Sequence, residues 1–435
     1  MEQTIRQFLD FADRSPTAFH AVRALCDMLE QNGFSPLSEH TAWRLMPGGR
    51  YYVTRNQSAL IAFTVPQTGF GPFRIAASHS DSPTFKLKPA SEDASAGHYT
   101  RLNVEKYGGM IMSSWLDRPL SIAGRILVRT EEGVESRLVD LERDAVLIPN
   151  QPIHFNRDVN TGYNFNPQVD LLPLYGDESA KGLLKEQIAQ AAGTDKDAIA
   201  GADLFLYSRT PGSVWGAKNE FFSCGRIDDL ECAYTSLRAF LEAAPGKHIN
   251  LCAVFDNEEV GSCSKQGADS TFLRDAMTRI GSALGATDEM IRAAMAGGFM
   301  ASADNAHAVH PNHPGTFDAQ NRTFMNGGVV IKHNANQRYT TDGVSAALFS
   351  EICKKANVPV QHFTNRSDLP GGSTLGNISN AQVSMNTVDI GLPQLAMHSC
   401  YETAGVKDLD YMIDALRAFY EAEIEMVGDG RFLLK

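Results

Sequence analysis

No CxxC pair occurs in the chain, and its seven cysteines (Cys26, Cys224, Cys232, Cys252, Cys263, Cys353 and Cys400) are odd in number and scattered. That usage is unlike a disulfide framework or a cysteine zinc site, and it fits reduced thiols in a cytosol. No apolar stretch approaches the uninterrupted length of a membrane span, and the opening residues MEQTIRQFLDFADRS are acidic early, without an apolar signal core. The expected location is therefore the cytoplasm, with no membrane partner. Long blocks of one charge are missing too: the net charge of -12, from 51 acidic and 39 basic residues, is dispersed. A nucleic-acid or anionic-membrane partner is disfavoured on that ground. Internal repeats and low-complexity tracts are also missing. What remains is a chain of 435 residues with 43% hydrophobic and 21% charged residues, enough for two or three domains and a sizeable core.

Apolar runs and helical stripes alternate at both ends of the chain. Ile5, Phe8, Leu9 and Ala12 share a helical face, and Ser15-Pro16 reads as the cap and first position of a second helix that Gly33 ends. Strands are expected at 51–54, 59–65, 73–78 and 249–255, helices near 271–284, 287–296 and 344–356, and further strands at 327–331 and 358–363. A last amphipathic helix places Leu409, Met412, Ile413, Leu416, Phe419 and Tyr420 inward. Between residues 91 and 221 the texture changes to polar loops, a hairpin at 126–141 around Glu132-Gly133 and one helix at 180–192. The fold class expected is α/β: an α/β/α sandwich formed by residues 1–90 and 222–435, interrupted by a β-rich insert at 91–221.

The chemistry gathers where strands end. Glu258 and Glu259, in Val254-Phe-Asp-Asn-Glu-Glu-Val-Gly-Ser262, follow an apolar strand. Neighbouring residues there point in different directions, so one carboxylate can bind a cation while the other faces a water. Taken alone, such a pair is more often a solvated turn or a helix start. His79 and Asp81 lie two residues apart after another strand, on one side of an extended chain, which lets Asp81 orient His79. Asp228 and Asp229 open a helical stripe and by themselves read as capping residues. Asp304, His307 and His310 follow in Ser302-Ala-Asp-Asn-Ala-His-Ala-Val-His310, and His398 in Met397-His398-Ser399. The C-terminal edge of an open α/β sheet is where sites collect. Imidazole and carboxylate without thiolate suit catalytic Zn²⁺, with Mn²⁺ or Co²⁺ as substitutes.

Six strings together resemble the aspartyl aminopeptidase family of cocatalytic zinc metallopeptidases: Ala77-Ser-His79-Ser-Asp81-Ser-Pro83, Arg226-Ile-Asp228-Asp229, Asp256-Asn-Glu258-Glu259-Val-Gly-Ser262, Asp304-Asn-Ala-His-Ala-Val-His-Pro-Asn312, His333-Asn-Ala-Asn-Gln-Arg-Tyr339 and Leu395-Ala-Met-His398-Ser399. The resemblance implies two Zn²⁺ per chain, one held by His79, Asp228 and Asp304 and the other by Asp228, Glu259 and His398, with Asp228 as the bridge and a cis Asp228-Asp229 peptide. It makes Glu258 the general base, which takes a proton from the attacking water and later delivers it to the leaving amine, with Asp81 supporting His79. The implied substrate is a peptide with an N-terminal Asp or Glu. Lys332 is the candidate cation for the acidic side chain, and the Ser373-Thr374-Leu-Gly376 turn lines the substrate site. The insert would mediate dimer formation within a tetrahedral dodecamer, and His154 would reach a neighbouring subunit's site. The chain departs from the family pattern at Ser80, where threonine is expected, and at Asp229, where asparagine is common. His307, His310 and His313 are left out of the ligand set. Two rival readings stand beside this one: a broad-specificity aminopeptidase, dipeptidase or deacylase with the same centre, and a non-catalytic oligomeric scaffold, which the complete ligand set disfavours.

Overall fold

The computed structural model describes residues 2–435, and the apolar runs of the sequence become the middle of a nine-stranded sheet. Across the sheet the strands are Ser35–Leu37, Arg50–Arg55, Ala59–Thr64, Ile249–Phe255, Phe73–His79, Phe299–Ala303, Asn386–Gly391, Val329–His333 and Val360–Thr364. The four neighbours from Ile249–Phe255 to Asn386–Gly391 run parallel, with an antiparallel pairing on each side of them. Every residue of Ile249–Phe255 is buried. Leu251, Ala253 and Phe255 join one apolar layer while Cys252 and Val254 join the other, as a strand with helices on both faces requires.

One layer holds the helices Glu2–Asp13, Ala18–Gln31, Ile227–Glu242, Gly343–Lys355 and Val406–Glu421; the other holds Phe272–Ala283, Asp288–Ala296 and Leu375–Gln382. The last long helix buries all six residues of its expected stripe, each contributing about 1.5–3 kcal/mol relative to exposure. The second helix departs from expectation. It starts at Ala18 after Thr17, not at Ser15-Pro16, and Thr17 makes no side-chain cap because its hydroxyl pairs with His20 Nδ1 at 2.9 Å. Gly33, at φ +78, closes that helix as expected.

A separate six-stranded antiparallel sheet takes its strands from residues 84–208. Phe85, Ile122, Ile126 and Leu206 pack there with Leu184 and Ile188 of the helix Leu183–Ala191. The hairpin is present, and Thr130 pairs with Gly133, so Gly133 opens the returning strand. The α/β sandwich with a β-rich second sheet is thus the observed architecture. A smaller five-stranded sheet pairs Cys224 with Glu402, which brings the segments carrying Asp228 and His398 together. No helix among the described residues is long and apolar enough to cross a membrane.

Candidate metal centre

The parallel strands deliver their chemistry to one sheet edge. His79 ends Phe73–His79, Glu258 and Glu259 follow Ile249–Phe255 in a short 3-10 turn, and Asp304 follows Phe299–Ala303. Asp228 enters from the start of the helix Ile227–Glu242, where its backbone is non-helical and the Asp228-Asp229 peptide is cis. His398 enters from the loop before Glu402–Gly405.

Two groups of potential ligands result, sharing Asp228: His79, Asp228, Asp229 and Asp304 in one, and Asp228, Glu259 and His398 in the other, with the ligand atoms of each group within 4.8 Å of one another. Asp228 divides its oxygens between them. Oδ1 lies 3.5 Å from His79 Nε2 and Oδ2 lies 3.3 Å from His398 Nε2, while Glu259 Oε1 is 3.4 Å from the same His398 nitrogen. Asp228 Oδ1 and Glu259 Oε1 are buried without a hydrogen-bond partner. Orphaned carboxylate oxygens in the interior are costly unless a cation meets them. The residues present therefore fit divalent metal.

Electrostatics point the same way. Burial, with Asp228 and other acids nearby, pushes Glu259 well above its usual range, and burial likewise raises Asp304 and Asp229. Glu258 is pushed up to about 8, first by burial and then by Asp304, Asp81 and Asp228 against the opposing effect of His79. Burial would raise Asp228 too, but the nearby rings of His398 and His79 hold it well below the ordinary value. So dense a set of acids in a low dielectric lacks positive charge.

Three buried carboxylates brace the groups through backbone amides. Asp81 accepts from the amides of Glu258 and Glu259 at 3.1 and 3.2 Å, and its Oδ1 is 3.3 Å from His79 Nδ1. Asp229 accepts from His79 N at 3.0 Å and Asn305 N at 3.3 Å, so both its oxygens are engaged. Glu402 accepts from Asp228 N at 3.1 Å and His398 N at 2.7 Å. The bracing role of Asp229 and Glu402 is absent from the sequence reading; an acid four residues after His398 was the available signal.

The remaining candidates lie around this cluster. Lys332 is 3% exposed, donates to Asn305 O at 3.0 Å, stands 3.7 Å from Asp304 Oδ2 and lies over the Tyr339 ring. Burial alone would lower its pKa, but Asp304 and Tyr339 outweigh it and hold Lys332 above the ordinary value. Thr374 donates to Asp389 at 2.8 Å. Gly376 packs so closely on Asp389 and Ser302 that a Cβ would come within 2.6 and 2.7 Å of them. His154 lies outside the cluster, exposed in a loop between the exposed Ile153 and Phe155. His307 is half-buried near Lys332, and its desolvation together with that charge lowers it to about 4.

Comparison with known proteins agrees with this geometry. Residues 11–420 match the family model for aminopeptidase I zinc metalloprotease (M18). A probable M18 family aminopeptidase 2 of Clostridium acetobutylicum is 45% identical over 424 residues, covering 95% of this chain and 98% of the relative. Among solved structures, a chain of the cryo-EM structure of the Ape4 and Nbr1 complex superposes with a TM-score of 0.93 at 36% identity, over 96% of this chain and 85% of that one. The S. cerevisiae mApe1 dodecamer gives 0.83 at 27% identity, over 95% of each chain.

Proposed function

This chain belongs to the M18 family of zinc metalloproteases and is a metalloaminopeptidase, and from that premise we propose that it uses two Zn²⁺ ions to remove N-terminal Asp or Glu from peptides. The observation that carries the reading is the division of Asp228, one oxygen toward His79 and the other toward His398, which is what a carboxylate bridging two ions needs. His79 and Asp304 complete one ligand set; Glu259 and His398 complete the other. When bound, the ions supply Lewis acidity, polarising the scissile carbonyl and making water a stronger acid.

The protein's own groups do the rest. Glu258, its backbone fixed by Asp81, takes the proton of the attacking water and returns it to the leaving amine. Asp81 keeps the His79 ring oriented. The acidic preference is assigned to Lys332. An ammonium has three N–H donors, and one is engaged by Asn305 O while Asp304 Oδ2 stands 3.7 Å away, so donor capacity remains for a substrate carboxylate. Thr374 and Gly376, packed on Asp389 and Ser302 of the strands next to Asp304, are assigned to line the substrate site.

Residues 91–221 are assigned as an inserted dimerisation domain within a tetrahedral dodecamer, with His154 contributing to a neighbouring subunit's site. The exposed Ile153, Phe155 and Val169 support a contact surface there, and one solved relative is a dodecamer. Seven unpaired thiols support a cytoplasmic location. The test is elemental analysis together with hydrolysis of Asp- and Leu-aminoacyl substrates, before and after chelation and restoration with Zn²⁺, Mn²⁺ or Co²⁺. Two ions and chelator-sensitive Asp cleavage are expected. Leu cleavage alone would replace the acidic preference with broad specificity, and no metal with no restorable activity would leave a scaffold.

A further inference from the structure

The antiparallel sheet is not confined to its own core. Its strand Tyr99–Tyr107 ends against the metal centre, and the Tyr107 hydroxyl donates to Asp81 Oδ2 at 2.6 Å while accepting from Asn257 Nδ2 at 2.8 Å. Asn257 in turn receives a hydrogen bond from Gln266 at 2.9 Å. The phenol is therefore held on both sides, and its ring rests edge-on against Phe205 of the same sheet, centroids 5.8 Å apart. The next residues continue along the site. Gly108, at φ +74, lies so close to Glu259 that a Cβ would stand 3.1 Å from the glutamate's Cβ, and Ile111 N donates to His398 O at 3.0 Å.

Asp81 is the point at which this matters. Its two oxygens serve the amides of Glu258 and Glu259, and Oδ1 also stands 3.3 Å from His79 Nδ1, whose nearer partner is the Asp81 carbonyl oxygen at 3.0 Å, so one rotation of the carboxylate would disturb the base, Glu259 and the charge facing His79. Resting on the two-zinc reading above, we infer that Tyr107 is a positioning residue: it fixes the Asp81 carboxylate, and through it His79, Glu258 and Glu259, so the metal centre is complete only with the antiparallel sheet docked. A hydrogen bond to a charged acceptor is among the stronger ones in a protein. Partners one step removed from a metal ligand characteristically change affinity or activity by about 10- to 100-fold.

Y107F removes the hydroxyl and keeps the ring on Phe205. Zinc retention by wild type, Y107F, D81N and the double variant is measured by competition with a chromophoric chelator, alongside the visible spectrum of the Co²⁺-substituted chains, kcat, KM and melting. Expected for Y107F are about 10-fold weaker zinc retention, a shifted Co²⁺ spectrum and a kcat lower by about 10-fold with KM within about twofold. The double variant should match D81N alone, because the phenol acts through Asp81. Replacing Tyr107 with 4-aminophenylalanine, which keeps a donor at the same place, should restore zinc retention. A Y107F chain that melts lower yet retains zinc, spectrum and kcat would reduce Tyr107 to packing and overturn the inference, as would effects that add to those of D81N. Wild-type protein that retains no zinc would instead sink the two-zinc reading and the inference with it.

Discussion

The two ligand groups share Asp228 but live in different surroundings. The His79 side chain is 1% exposed, its ring oriented by Asp81 and its amide held by Asp229, with Lys332 behind Asp304. The His398 side chain is 33% exposed, on a loop residue at φ +67, and is held through its amide by Glu402. The contrast thus lies in the histidines, since Glu259 and Asp228 of the second group are as buried as the first group: His79 ends a strand of the core and His398 is offered from a coil. In the proposed two-ion centre, a cation in the buried group would relieve buried acids and so belong to stability as much as to chemistry, while one beside His398 would lie nearer solvent.

The largest effect is expected where the buried group is broken. His79→Ala leaves Asp81 and Asp228 without their buried partner, which should destabilise the chain by about 3 to 5 kcal/mol and remove both ions and activity; melting and zinc content are the measurements. A variant that melts like wild type and keeps one ion would erase the contrast. Glu258→Gln keeps both groups intact, so zinc content should hold while turnover falls about 100-fold or more. Unchanged turnover would remove Glu258 as the base. His398→Ala is milder for the fold. One ion should remain and metal-free stability should fall by less than for His79→Ala, because the His398 side chain is 33% exposed although it faces buried Asp228 and Glu259, and full two-ion occupancy would show that His398 is no ligand.

The groups at the strand ends were more legible in sequence than their support. His79, Glu258 and Glu259 could be placed because each follows an expected strand, and parallel strands present their C-terminal ends to one edge, whereas Asp304 follows Phe299–Ala303, a small-residue strand without β-branched side chains for which no strand was expected. Asp228 and His398 carried no such signal by spacing alone; pairing of Cys224 with Glu402 in the small sheet brings them together, and register between strands 178 residues apart is a tertiary property that no local pattern encodes. The same holds for Tyr107, which reads as an ordinary strand aromatic until the antiparallel sheet docks beside Asp81. Ser15-Pro16 misled for a local reason: a good cap sequence lost to Thr17, whose hydroxyl found His20.

The smallest expected effect, and the one that most sharpens the contrast, is in the rate of metal loss. Releasing an ion requires its ligands to open, and opening a loop histidine disturbs less packing than opening a strand end buried on both faces. On dilution into chelator, one equivalent of zinc should leave first and the second about 10-fold more slowly, read by a chromophoric chelator in stopped flow. His398→Ala should abolish the first phase and leave the second. Glu402→Gln should quicken the first phase, because Glu402 clamps the amides of both His398 and Asp228 with separate oxygens and an amide side chain keeps only one acceptor oxygen. A single phase for both equivalents would mean that the two environments, however unequal in burial, hold metal as one unit through Asp228.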